Sequence, residues 1–360
     1  MRKLMKANIQ AFALEIIKIN LQAFAAGTLV NATTTYVNSE TGATTAFDAT
    51  NKLTPGMKTF YDTELLENAR ANLIFAQFAK KQPLPANRGR TMEWRKWNTL
   101  PNADTLQEGV VPDGKKLGMS TLTASLVQHG MFVAISDLLE LHYVDDVLLG
   151  ATEELGASAG ESMDKLIRNE LQTNTNIMYA DTVADGKTTE VTGYTGMTAD
   201  NNRLTPDMVN KAVTWLKKNK APTINGKYVA IIHPSVAYDL RSSNEWIEAH
   251  KYAAVTEIFN GEIGELHGVR FVETTNAKIT DQGGKIVYTT IFLGKDAYGI
   301  VDPEGGGLEM IVKNRGEIGG PLEQYSTAGY KFEHATKILY PERMVLVESM
   351  SAYSTKDSAN

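Results

Sequence analysis

The sequence contains no cysteine and only six histidines among its 360 residues. The absence of cysteine excludes disulfide bonds, thiolate metal ligands and a cysteine nucleophile. The histidines are His129, His142, His233, His250, His267 and His334, and no two of them have the spacing of a metal-binding pair. We therefore expect no metal site and no cofactor.

Two further features are scarce: positive charge and long apolar runs. The formal net charge is -6, which argues against a general nucleic-acid-binding protein, because such proteins normally present a basic face. No run approaches the ~20 apolar residues of a membrane-spanning helix. The apolar part of Met1–Val30 is interrupted by Glu15 and Lys18, which favours an amphipathic arm over an export signal. We expect a soluble protein with no membrane partner.

The longest regular pattern is helical. Apolar residues recur every three or four positions between Ser136 and Tyr179. This pattern predicts one helix over Asp145–Met178, about 50 Å long. Gly156 and Gly160 lie in its middle, where each glycine disfavours the helix by about 1 kcal/mol relative to alanine. We expect both to mark a place where another segment packs closely on the helix.

Two strand patterns precede this helix, and a polar segment rich in glycine and proline separates them. Arg90–Trp97 is strand-like, with Met92, Trp94 and Trp97 as its bulky members. Met119–Ile135 alternates, and Gly130 falls where its pattern slips by one residue. They predict a long two-stranded hairpin. Because a lone two-stranded ribbon is at best marginally stable in water, we expect its apolar face to rest on another copy of the protein.

Aromatic and cationic residues concentrate in this predicted hairpin. They are Arg88, Arg90, Trp94, Arg95, Lys96 and Trp97. Bases could stack on the indole rings while the cations contact phosphates. The favoured interpretation is that these residues anchor a contact between subunits, since aromatic residues and arginine are enriched in protein interfaces.

Other segments show weaker patterns. Asn31–Asn51 is rich in threonine, alanine, asparagine and serine and predicts a mobile linker. Tyr61–Lys80 has a helical pattern that ends before Pro83. Leu204–Met310 is predicted to form an α/β subdomain whose first helix is capped by Thr205. Alternating stretches then predict strands that return to an earlier sheet, followed by a frayed C-terminal tail.

Catalytic motifs are weak. Ser162 and Lys165 match the S-x-x-K pattern of serine acyl enzymes. The companion S-D-N and K-T-G elements are absent from usable positions, so an acyl hydrolase is a remote alternative. The segments 181–186 and 305–307 resemble a calcium loop and a phosphate loop only superficially, and each is better explained as a turn. We expect no enzymatic activity and no catalytic residues.

Four stretches carry a family resemblance: Thr54-Pro-Gly-Met-Lys-Thr-Phe-Tyr61, Gly89-Arg-Thr-Met-Glu-Trp-Arg-Lys-Trp97, Leu106-Gln-Glu-Gly-Val-Val-Pro112 and Gly261–Thr275. With the order of arm, hairpin, long helix, α/β subdomain and returning strands, the chain resembles the major capsid proteins of tailed bacteriophages with the Hong Kong 97-type fold. More narrowly, it is similar to the N4-type major capsid family. The resemblance covers about Asn31–Met350.

The resemblance implies an α+β capsid fold with a long spine helix, an extended β-hairpin loop, and peripheral and axial subdomains. The implied organisation is an N-terminal arm at 1–51, a helical segment at 52–87, the extended loop at 88–135, the spine helix and peripheral domain at 136–203, the axial domain at 204–310, returning strands of the peripheral domain at 311–353, and a tail at 354–360.

The implied function is a coat protein that self-assembles through hexamers and pentamers into an icosahedral shell around double-stranded DNA, which it holds without reading the sequence. Implied partners are further copies of the chain and scaffold, portal and decoration proteins; the implied location is the virion, after assembly in the bacterial host cytoplasm. Some relatives join subunits by a lysine–asparagine cross-link. Lys115 and Lys116 lie near the hairpin tip as further contact candidates, but no motif marks an acceptor, so we predict no cross-link. A cellular nanocompartment shell with the same fold is the alternative.

Overall fold

The computed structural model of the chain describes residues 73–85, 89–98, 100–103, 105, 114–142, 147–184, 187–198, 201–250, 262–318, 322–354 and 356–360. The predicted N-terminal arm and linker lie outside these residues. The chain divides into two compact units. The first comprises the described parts of Gly130–Ala159 and Leu308–Phe332, and the second comprises the described parts of Ala69–His129, Gly160–Gly307 and Glu333–Asn360.

Five α-helices occur among the described residues. They are α1 (Asp137–His142), α2 (Val147–Leu171), α3 (Pro206–Lys218), α4 (Pro234–Arg241) and α5 (Asn244–His250). None of these helices is both long enough and apolar enough to cross a membrane.

The strands found in the described ranges fall into five sheets. They are β1 (Lys80–Leu84), β2 (Thr91–Trp97), β3 (Met119–Ser125), β4 (Val127–Ser136), β5 (Ile177–Tyr179), β6 (Thr182–Ala184), β7 (Lys187–Thr189), β8 (Tyr228–Ile232), β9 (Glu262–Leu266), β10 (Val269–Glu273), β11 (Ile279–Asp281), β12 (Ile286–Leu293), β13 (Tyr298–Pro303), β14 (Glu309–Lys313), β15 (Tyr325–His334), β16 (Thr336–Ile338) and β17 (Met344–Ser349).

The second unit is built on a seven-stranded mixed sheet. Its strand order is β5-β17-β12-β8-β10-β9, and β11 also pairs with β12. Every residue of β8, β12 and β17 is buried. Strands that are apolar on both faces need cover on both sides.

Alternate side chains of these strands enter two different clusters. Tyr228, Ala230 and Ile232 point into the cluster that contains the apolar side of α3. Val229 and Ile231 point into the other, which contains Phe75, Phe78, Ile167 and Leu171. The period of two along the strand therefore fixes which side chains meet α3 and which meet the end of α2.

The start of α3 follows the sequence prediction. The Thr205 side chain accepts a hydrogen bond from the backbone N–H of Met208, with an oxygen–nitrogen distance of 3.3 Å, and Pro206 occupies the first turn. This arrangement satisfies one of the N–H groups that a helix start leaves without an internal partner.

The predicted long helix is shorter than expected. Helix α2 runs over Val147–Leu171, about 38 Å at 1.5 Å per residue, and residues 143–146 lie outside the described part. The prediction that the helix continues to Met178 is wrong, because the chain leaves it after Leu171 and forms β5, which pairs in parallel with β17. Ile177 and Met178 are apolar because they belong to that strand, so periodicity alone misassigned them.

The predicted Tyr61–Lys80 helix is described only from Leu73 onward. There the chain forms a single 3₁₀ turn at Phe75–Phe78, and β1 begins at Lys80. Pro83 lies within β1, which is an outer strand of the sheet β1-β13-β16. An outer strand tolerates a proline because one of its edges needs no ladder donor.

The predicted return arm is two strands rather than one. Strand β3 pairs with β2, and after Leu126 the chain continues as β4, which joins β15 in a separate three-stranded sheet with β14. The expected single ribbon reaching Ile135 is therefore wrong. Both strands alternate regularly, and alternation does not reveal which partner a strand pairs with.

Strands β4 and β15 approach closely at two glycines in the first unit. A Cβ on Gly329 would lie 2.6 Å from the Phe132 Cβ, and a Cβ on Gly130 would lie 2.7 Å from the Tyr330 carbonyl oxygen. Any larger residue at either position requires the backbones to move apart.

The C-terminal tail is docked rather than frayed as predicted. The Asn360 side chain accepts hydrogen bonds from the Arg168 guanidinium at 2.9 Å and from the Ile279 backbone N–H at 3.0 Å. Asp357 accepts from the Tyr288 hydroxyl at 2.5 Å. Composition suggested a mobile tail, but these bonds join it to residues distant in sequence.

We predict that Gly329→Ala destabilises the subunit by about 1–3 kcal/mol, because the added methyl group overlaps Phe132. Gly150→Ala is the matched control: it lies in α2, and nothing lies within 4 Å of an added Cβ. We expect this control to be more stable than the wild type by roughly 0.5–1 kcal/mol. Urea unfolding of unassembled subunits measures both changes, and equal effects would contradict the close crossing.

Candidate assembly surface

The β2–β3 hairpin is the region to which the sequence assigns contacts between subunits. Thr91 pairs with Ser125, Trp94 with Leu122, and Trp97 with Met119. The ladder continues to the Asn98 backbone N–H, which donates to the Gly118 carbonyl oxygen at 2.9 Å. One face of this ribbon therefore carries Met92, Trp94, Leu122 and Ala124, and the other carries the residues between them.

The first face rests on its own subunit. Trp94 and Ala124 are each 8% exposed and belong to a cluster with Leu84, Val301 and Leu339. Gly299 permits this docking, because a Cβ there would lie 3.2 Å from the indole Cζ2 of Trp94. The expectation that another copy must support this face is wrong, since the sheet β1-β13-β16 of the same chain provides the cover.

A cation–aromatic cluster also holds the hairpin. The Lys96 ammonium lies 2.7 Å from a Glu342 carboxylate oxygen and 4.3 Å from the centre of the Tyr340 ring. The Arg343 guanidinium carbon lies 3.8 Å from the same ring centre. Burial alone would raise the pKa of Glu342, but the hydrogen bond from Lys96 and the nearby cations hold that pKa below its usual value. Both cations contribute attraction to the ring face.

The second face and the tip side carry exposed apolar side chains. Trp97 is 61% exposed, and its cross-strand partner Met119 is 45% exposed. Leu100 and Leu117, at 53% and 56%, lie three residues after Trp97 and two residues before Met119 in the chain. We call Trp97, Leu100, Leu117 and Met119 the hairpin-tip cluster. Exposed apolar side chains grouped in this way are typical of protein interaction sites.

The structure separates the predicted contact residues. Trp97 and Arg95 are exposed on the outer face, where Arg95 pairs with Glu93 at 3.3 Å. Trp94 packs inside the subunit, and the Arg90 guanidinium donates to the Leu126 carbonyl oxygen at 3.1 Å. Trp94 therefore supports the hairpin from inside the subunit, and exposed Arg90 joins the two ends of the hairpin ladder.

The remaining candidates are placed as follows. Lys115 and Lys116 are exposed beside the hairpin-tip cluster, and Arg88 lies outside the described residues. Gly156 and Gly160 are both buried in α2. Their close packing against another segment stays a prediction.

The catalytic alternative gains no support from the geometry. Lys165 forms an ion pair with Glu161 at 2.6 Å, one helical turn away, so its ammonium has an anionic partner instead of acting as a base toward Ser162. Within the described ranges, no three histidine or carboxylate side chains converge on a point where a metal ion could bind.

Sequence reasoning missed the residues that fix the hairpin and the long helix in place. The sequence groups Lys96 with the other hairpin cations, and Asp164 lies inside the Ser162–Lys165 motif without a predicted role of its own. A signal for Asp164 was available, because it lies three and seven residues before Ile167 and Leu171 and therefore on the buried side of α2.

Comparisons with known proteins agree with this architecture. The solved structure of the Ralstonia phage GP4 capsid matches 80% of this chain and 93% of its own, with a TM-score of 0.59 and 14% identity. The cyanophage P-SCSP1u capsid matches 78% of this chain and 89% of its own, with a TM-score of 0.55 and 13% identity. The cyanophage Pam1 capsid matches 89% and 99%, with a TM-score of 0.54 and 13% identity.

These likenesses establish the fold class: mixed helix and sheet, in the arrangement of tailed-phage capsid subunits. The model of the phage capsid protein family matches residues 119–345, which is more than half of the chain. The chain belongs to the phage capsid protein family. It is a structural protein of the virion shell and not an enzyme. A search of curated protein sequences finds no match, and the narrower similarity to the N4-type family stays a prediction.

We predict that Trp94→Ala and Trp97→Ala differ sharply in their effect on the subunit. Trp94→Ala empties a buried site and should destabilise the subunit by about 3–5 kcal/mol. Trp97→Ala removes an exposed ring and should change the free energy of unfolding by no more than about 0.5 kcal/mol. Denaturant unfolding of the unassembled subunit measures both, and similar losses would show that the two faces of the hairpin were misassigned.

We predict an acid-sensitive contribution from His334, which is buried, contacts the Thr336 hydroxyl at 2.6 Å and precedes Ala335 beneath the hairpin. Burial, with nearby His129, lowers the pKa of His334 from 6.5 to about 4. The unfolded chain therefore binds the proton first, and stability should fall as the pH drops from about 6.5 to about 4. His334→Gln should lose less stability over this range than the wild type, measured by thermal unfolding against pH. Parallel curves would contradict the assignment.

Proposed function

We propose that the chain is the major coat protein of a tailed bacteriophage and assembles through hexamers and pentamers into an icosahedral shell that encloses double-stranded DNA. The hairpin-tip cluster is the observation that carries this proposal at residue level. The hairpin is already supported by its own subunit on one face, so Trp97 and its neighbours remain available to a second copy.

We propose a heterologous contact, in which the hairpin of one copy meets a different surface of the next. Heterologous contacts generate rings when the rotation closes. Tryptophan is enriched among the few residues that carry most of the binding energy of an interface. We propose that Trp97 fills this role, with Arg95, Lys115 and Lys116 at its rim.

The charge of the chain fits this function. A formal net charge of -6 gives no general affinity for phosphate, so the proposed shell encloses DNA without reading its sequence.

Scaffold, portal and decoration proteins are the proposed further partners, and the bacterial host cytoplasm is the proposed place of assembly. The proposed domain organisation keeps the boundaries given above, although β17, at 344–349, pairs with β12 of the proposed axial domain.

A cellular nanocompartment shell would use the same kind of contact. It differs in its cargo, which would be an enzyme instead of genomic DNA. Nuclease-resistant DNA recovered from purified particles would favour the capsid, and a co-purifying enzyme without DNA would favour the nanocompartment.

We predict that Trp97→Asp abolishes closed particles while leaving the subunit folded. A buried, unpaired carboxylate at the centre of the contact would cost several kcal/mol in each copy of the interface. Trp97→Phe keeps the apolar contact and serves as the matched control, which should still assemble. Electron microscopy and sedimentation velocity measure the yield of particles, and circular dichroism confirms folding. Normal particles from Trp97→Asp would refute the proposed contact.

A further inference from the structure

A buried carboxylate in the C-terminal third of α2 binds the first part of the chain that the structure describes. Asp164 has 0% relative exposure. Its Oδ1 atom accepts two backbone hydrogen bonds, from Ile74 N–H at 3.0 Å and from Phe75 N–H at 2.8 Å. Its Oδ2 atom lies 3.5 Å from the Asn276 side-chain nitrogen.

The two N–H groups that Asp164 binds lie at the start of the 3₁₀ turn Phe75–Phe78. The residue that precedes this turn, Ile74, makes no side-chain capping bond. Asp164 therefore supplies from another element the acceptor that a local serine or aspartate provides in most helices. Because a carboxylate is charged, the bonds are stronger than those to a neutral acceptor.

A second interaction holds the same short segment from the opposite side of its backbone. The Tyr298 hydroxyl donates a hydrogen bond to the Phe75 carbonyl oxygen. The Phe75 ring is 0% exposed and packs in the cluster that contains Ile167, Leu171 and Tyr298. The backbone N–H, the carbonyl oxygen and the ring of Phe75 are therefore all held by contacts.

We propose that Asp164 is a positioning residue: it fixes the backbone of Ile74 and Phe75 on α2 and so sets the path of the chain through the turn at Phe75–Phe78. The inference goes beyond the proposed assembly function and concerns a single subunit. It can fail or succeed independently of whether the chain forms shells.

The neighbouring turn of α2 offers an internal comparison. Arg168 is also buried, at 2% exposure, and its Nη1 donates to the Asn276 carbonyl oxygen and to the Asn360 side chain, both at 2.9 Å. It holds the C-terminal residue and makes no hydrogen bond to Ile74 or Phe75 among those described. Asp164 therefore holds the segment at Ile74 and Phe75, whereas Arg168 holds the segment at Asn360.

The first experiment is hydrogen–deuterium exchange on the full-length unassembled subunit, followed in peptides that cover 73–78 and 356–360. Asp164→Ala should make 73–78 exchange about tenfold faster or more, because two charge-assisted bonds are lost, while 356–360 changes little. Asp164→Asn keeps an acceptor oxygen at Oδ1 and should restore most of the protection. Arg168→Met should show the reverse pattern.

The outcomes separate positioning from general stability. Equal acceleration in both peptides for Asp164→Ala, or failure of Asp164→Asn to restore protection, would overturn the proposal. Limited proteolysis gives a second readout: Asp164→Ala should be cleaved near Leu73 at concentrations of protease that leave the wild type and Arg168→Met intact at that point.

A pH series tests whether the charge of Asp164 affects stability, which a purely steric role would not predict. Burial raises the pKa of Asp164 from 3.8 to about 6, against the opposing effects of the Phe75 and Ile74 N–H groups, Asn276 and Arg168. Tyr298 also faces Asp164, while Glu161 and Lys278 act on Arg168. Because the folded state binds the proton more tightly, the wild type should lose stability relative to Asp164→Asn as the pH rises from about 4 to about 6, and the difference should then stay constant. A difference independent of pH would contradict an ionised, buried Asp164.

Discussion

The second unit depends on covering a sheet that is apolar on both faces. Strands β8, β12 and β17 have no exposed residue, so neither face can be left to solvent. Helix α3 and its neighbours cover one face, and the end of α2 with the turn at Phe75–Phe78 covers the other. The position of the long helix is therefore a consequence of the sheet, and the anchoring of Phe75 by Asp164 is a consequence of the position of the helix.

The hairpin shows how burial of one face can create a surface on the other. A two-stranded ribbon is marginal in water, and this one is held by Trp94 beneath it and by Lys96 between Glu342 and Tyr340 beside it. These contacts are made by the side chains on the inward-facing side of the hairpin. The outward-facing residues of the same strands are left exposed, with Trp97 the largest of them, and a shell subunit can use such a surface without any change in its own fold.

Local patterns predicted many individual elements. The sequence indicated the capped start of α3 because its signal lies within a few residues, with Thr205 before Pro206. It also indicated the two arms of the hairpin, the return arm through its alternation. It failed at Ile177 and Met178, which fit a helical period but belong to a parallel strand, and at Leu126, where one alternating stretch serves two sheets.

The sequence by itself determined the class of protein, the periodic elements and the absence of cysteine chemistry, since each of these depends on residue types and short-range spacing. Only the tertiary structure decided that Trp94 lies inside and Trp97 outside, that the tail is docked, and that Asp164 binds a segment about ninety residues away in the chain. These outcomes depend on which surfaces meet when elements distant in sequence pack together. Trp94 and Trp97 are the same residue type, lie three positions apart in one strand and have nearly the same local sequence pattern. They differ in burial because Gly299 and Leu339 lie beneath Trp94.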